Sequence, residues 1–173
     1  MFTAVHHLAN RTVPQIFNAF KEIFTYYLQR GFRITTIGMD REFAPLKPLI
    51  AAMPGGPHAN LTSANEHVPD IERRIRVVKE RSRATHHGLP LQSIPQLMVT
   101  HMVLLVFKML NYFPPKGGVS THISPKTIMS GETLDYKKNL SLSFGQYFQV
   151  HEEETPRNSQ IAPTKGAISL QPR

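Results

Sequence analysis

The most constraining feature of this chain is a helix signature handed over, through a single glycine, to a run that only a strand suits. Thr12-Val13-Pro14-Gln15 has the form of a capping box, with Thr12 as N-cap, Pro14 in the first turn and Gln15 three residues on. Apolar residues then recur at Val13, Ile16, Phe17, Phe20, Ile23, Phe24, Tyr27 and Leu28, a helical stripe that Gly31 stops. From Phe32 to Met39 the chain turns β-branched, with Ile34, Thr35, Thr36 and Ile37 and no breaker before Gly38. A helix followed at once by a buried strand predicts an α/β layout. Asp40 then falls just past the strand's carboxyl end, the edge at which open α/β sheets bind ligands.

Downstream, prolines and glycines between Pro45 and Pro57 break the chain around a short helix at 46–53. A short strand is expected over 58–65. Pro69 opens a second helix running to about Thr85, with Ile71, Ile75 and Val78 on its core face and Gly88 and Pro90 as its stop. A third helix is expected from Pro95 to Phe113. It is apolar almost all round and so belongs inside the fold or against a partner. Its Met98, Met102, Leu105 and Met109 stripe suits a core first and a dimer surface second. Residues 119–139 are expected as an extended connection, and 142–151 and 166–170 as two short strands. The domain organisation that follows is 1–113 as a core, 114–139 as a linker and 140–173 as a small β appendage.

Composition narrows the function classes. The 173 residues carry a formal net charge of +8 and no cysteine. A disulfide scaffold, a cysteine-based zinc site and a cysteine nucleophile are thereby excluded. The 97–110 stretch is interrupted by Thr100, His101 and Lys108 and is too short to span a bilayer, so no membrane partner is expected. With no signal-peptide pattern at the start, a nuclear or cytoplasmic location is expected. The charge points to a polyanionic partner. It is concentrated in the second helix, where Arg73, Arg74, Arg76, Lys79, Arg81 and Arg83 place six cations within eleven residues. Arginine grips phosphate bidentately, and each such contact makes affinity salt-dependent. A plain solvated surface helix is the competing reading. Glu72 stands among these cations; alone it is a surface ion-pair residue, and Asp40 alone a turn or cap residue. Brought together they could hold Mg²⁺ or Mn²⁺, which prefer oxygen ligands, and so support phosphoryl chemistry. The adjacent pairs His6-His7 and His86-His87 point apart on a helix or strand and make poor chelates.

The order of these features resembles a known family. Gly38-Met39-Asp40-Arg41-Glu42-Phe43 resembles the Asp-x-x-x-Glu-Phe turn of copia-type retrotransposon integrases, one residue shorter here. Asn65 to Arg83, especially Val68-Pro69-Asp70-Ile71-Glu72-Arg73, looks like their Gly-Val-Ala-Glu-Arg helix. Asn60-Leu61-Thr62-Ser63 sits where that family has its last strand before a flexible loop, Ile123 to Ile128 matches a Thr-Pro-Tyr-Glu segment, and Phe144-Gly145 with Gly166-Ala167-Ile168 resembles the small β unit after the core.

The resemblance implies a partial ribonuclease-H-like fold, a mixed sheet flanked by helices, followed by a small carboxy-terminal β unit. It implies descent from a DNA-integration enzyme in which three carboxylates bind two divalent metals. Asp40 maps to the second carboxylate and Glu72 to the third, with 31 residues between them. No aspartate precedes Asp40, and the family's Gly-Gly after that residue is replaced by Arg41. The expectation is therefore a catalytically incomplete integrase core, truncated at its amino-terminal side, that binds DNA, holds Mg²⁺ or Mn²⁺ weakly or not at all, and could self-associate through the 95–113 helix. The alternative is a non-catalytic nucleic-acid-binding or protein-interaction module.

Overall fold

In the computed structural model, which describes residues 2–62, 69–151 and 163–170, the chain is a mixed α/β fold. Helix α1 spans Val13–Gln29. Its amino end differs from a capping box: Thr12 makes no side-chain cap. Asn10 Oδ1 accepts from the Thr12 amide (3.2 Å) and hydroxyl (2.7 Å), while Gln15 Oε1 accepts from the Asn10 amide at 3.0 Å. These bonds brace the turn leading into α1, and none of them is donated by an amide of its first turn. The carboxyl end is a Schellman motif, as the glycine foretold. Gly31 has φ +80°, its amide donates to Leu28 O, and the Phe32 amide donates to Tyr27 O.

Strand β1, Thr36–Met39, pairs in parallel with β2, His58–Leu61, Thr36 opposite His58 and Met39 opposite Leu61. The strand is half the expected length because β2 offers only four partners; the Thr35 carbonyl, accepting from the His58 amide, is the last ladder contact at that end. The crossover between them is a 3-10 helix, Arg41–Leu46, running into α2, Lys47–Ala51. Burial of Met39, Leu46, Ile50 and Ala59 against Phe17, Phe20 and Ile37 makes the first core cluster.

The second half is helical. α3 runs Pro69–His87 and α4 runs Gln96–Tyr112, and their contact buries Val78, Val106 and Leu110. Here the expected core face of α3 is corrected. Ile71 and Ile75 are each 48% exposed, and the buried edge is Val78 with Val77 beside it. Residues 119–139 are also not simply extended. Pro125–Ser130 forms α5 and Tyr136–Asn139 forms α6, both turned back toward α4. The Phe113 and Tyr136 rings stack at 5.6 Å and the Tyr136 hydroxyl donates to the Tyr112 carbonyl at 3.0 Å. Lastly, β3, Tyr147–His151, and β4, Thr164–Ile168, pair antiparallel in a separate two-stranded sheet. No described helix is long and apolar enough to cross a membrane.

Candidate nucleic-acid interface and carboxylate pair

Asp40 stands where the sequence placed it, immediately past β1. Its backbone is extended, and its Oδ1 accepts from the Arg41 amide at 2.7 Å, capping the 3-10 helix that carries the crossover. The carboxylate is exposed, as is that of Glu42, which is ion-paired with Arg11 across to the start of α1. The aspartate therefore has a local structural task, the start of the crossover, whatever else it does.

Glu72 lies in the first turn of α3 and is likewise exposed. Residues 63–68, which include Asn65, Glu66, His67 and Val68 of the resemblance, lie outside the described residues. Among the described residues, no three His, Asp or Glu side chains form a group that could hold a metal ion. Asp40 and Glu72 stand on separate elements, the end of β1 and the first turn of α3, and Asp40 is engaged with a backbone amide.

The basic helix is the more developed feature. Arg73, Arg76, Lys79, Arg81 and Arg83 are all exposed, which leaves five cations of α3 open to solvent. Arg74 differs. Its Nε donates to Thr3 Oγ1 at 2.8 Å, tying the amino-terminal segment to the helix. Its Nη2 is buried with no hydrogen-bond partner among the described residues. Burial, and next the nearby Arg81 charge, lower the Arg74 pKa from its usual value. Six cations read from sequence as one surface thus divide into five exposed groups and one drawn inward.

A cation the sequence reading passed over stands opposite them. The sequence places Pro114 to Gly118 at the start of the 114–139 linker, just past the third helix. In the structure Lys116 sits on the tip of a reverse turn that closes with the Gly118 amide donating to the Pro115 carbonyl at 3.0 Å. Gly117, with φ +73°, holds the position that a type II turn reserves for glycine. This turn and the Arg73–Val77 face of α3 line a cavity of about 530 Å³. The signal was present in Pro-Lys-Gly-Gly, a turn that displays a lysine; its position across from α3 was not.

Comparison with family models, curated proteins and solved structures found no match to this chain.

Proposed function

We propose that this chain is a nucleic-acid-binding protein derived from a ribonuclease-H-like, copia-type integrase core, retaining the basic helix of that lineage without strand-transfer chemistry. The observation that carries the binding half of this reading is the solvent-exposed set Arg73, Arg76, Lys79, Arg81 and Arg83 distributed around α3. A helix so charged repels itself, and phosphates relieve the repulsion while releasing counterions. What supports the descent is the order of elements. A helix leads into a strand that ends on Asp40, a crossover leads to a parallel second strand, and the basic helix with Glu72 in its first turn follows. That is the order expected of the segment around the second and third carboxylates. What supports the loss of chemistry is that Arg41 stands where that lineage has Gly-Gly after its second carboxylate, and that its amide engages Asp40 Oδ1.

The test is fluorescence anisotropy with a labelled duplex of random sequence over a salt series. Wild-type protein should bind, with log affinity falling linearly in log salt concentration. The double variant Arg81→Gln/Arg83→Gln should lower that slope by roughly 2, about one per lost phosphate contact. Asp40→Asn should leave affinity unchanged. Salt-independent binding, or none, would sink the reading. Metal-dependent nicking abolished by Glu72→Gln would overturn its non-catalytic half.

A further inference from the structure

Resting on that nucleic-acid reading, we infer that the cleft between α3 and the Pro115–Gly118 turn is a backbone-phosphate pocket, with Arg73, Arg74 and Lys116 as its phosphate-binding groups. Its volume, about 530 Å³, lies within the range of small-ligand sites. Among the described residues that line it, three are cations and none is acidic. Cations gathered around one hollow with no carboxylate in its wall disfavour one another, and a phosphate entering the hollow reverses the sign of that interaction.

Two details go beyond charge. Arg74 is held by Thr3 through Nε, and its buried Nη2 lacks an acceptor among the described residues. A buried donor without an acceptor is costly, and a phosphate oxygen would provide one. The opposite wall is a glycine turn that no larger residue could copy. A Cβ on Gly118 would stand 2.8 Å from Pro115 Cγ and 3.1 Å from its carbonyl oxygen, so the backbone there stays bare and close to the cleft.

The lining also says what the cleft cannot read. Its uncharged side chains are Val77, Pro115 and Val119. Among the described residues that line it, there is no aromatic ring to stack a base and no amide or carboxylate side chain to pair a base edge. The pocket therefore positions the backbone without selecting sequence. Val119, 90% exposed at the lip, gives a site for a probe that cannot disturb the core.

The experiment uses the full chain and the same labelled random-sequence duplex. Lys116→Gln should weaken binding about 3- to 10-fold and lower the salt slope by about one. Val119→Glu, which sets a negative charge at the mouth, should weaken it at least as much. Lys47→Gln on α2 is the control and should match wild type. Scrambling the duplex sequence should change none of these values. If Lys116→Gln and Val119→Glu bind like wild type while Arg81→Gln/Arg83→Gln is weakened, the pocket is refuted and the nucleic-acid reading stands. If wild type fails to bind DNA, or binds phosphatidylserine vesicles in its place, both are refuted.

Discussion

Ser124 is 3% exposed, unusual for a hydroxyl residue outside a helix, and its neighbours explain why. Its Oγ accepts from the Thr127 amide at 3.0 Å and shares a hydrogen bond with the Thr127 hydroxyl at 2.9 Å. Pro125 follows at the first helical position, so a six-residue helix starts from a filled cap and a preset φ. The other end is held by Gly131 at φ +73°, whose amide donates to the Thr127 carbonyl. A helix this short has no intrinsic stability and depends on these ends and on the burial of Met129. Ser124→Ala should therefore cost about 1 kcal/mol, the usual worth of an N-cap. Gly131→Ala should cost a similar amount by forcing a Cβ into the left-handed region. Urea denaturation of each variant measures both. A change under about 0.3 kcal/mol in both would mean that α5 contributes nothing to the fold.

At the scale of elements, legibility followed the length of the periodic signal. α1 and α4 were readable because seventeen residues of stripe outweigh any local ambiguity. α5 was not, although Ser124, Pro125 and Gly131 are its start and stop, because six residues give less than two turns of periodicity. Asp40 was readable as the end of a strand, while its capping bond to Arg41 depended on the 3-10 helix that follows. The buried face of α3 was misjudged for a different reason. Ile71, Ile75 and Val78 do share a helical face, but α4 reaches only its later part, around Val78. A stripe says which side of a helix can be buried, and the partner's length decides how much of it is. The two readings differ by experiment. Val78→Ala, at 7% exposure, should cost roughly 2 kcal/mol for two buried methyls and the space they leave. Ile75→Glu should change stability by less than about 0.5 kcal/mol. Equal losses at both positions would restore the longer core face.

Across the described residues, two clusters of buried apolar side chains share no residue, one around β1, β2 and α2 and one between α3 and α4. The amino-terminal segment, 2–8, joins them. Phe2 stacks on Tyr26 at 6.2 Å and meets Tyr27 edge-on at 6.1 Å, both on α1. Thr3 then bonds into the second half. Its amide donates to Asn111 Oδ1 and its carbonyl accepts from Asn111 Nδ2, both at 2.8 Å, while its hydroxyl accepts from Arg74. Asn111 is 6% exposed on α4, so one buried amide satisfies both backbone groups of a single residue. Packing beneath this strap is incomplete: a cavity of about 460 Å³ lies among Phe2, Tyr26, Leu104 and Phe107. With little apolar contact there, the hydrogen bonds of Thr3 and that between Arg30 and the Ser130 carbonyl carry much of the coupling. Asn111→Leu keeps the number of side-chain heavy atoms and removes both strap bonds. It should cost about 2 kcal/mol, near 1 for each bond lost. It should also loosen the cooperativity between the halves, so that urea unfolding followed at the α1 tyrosines precedes or lags that followed by helical circular dichroism, with a lower apparent m-value. Coincident transitions with an unchanged m-value would show that the two clusters are coupled through contacts other than the strap.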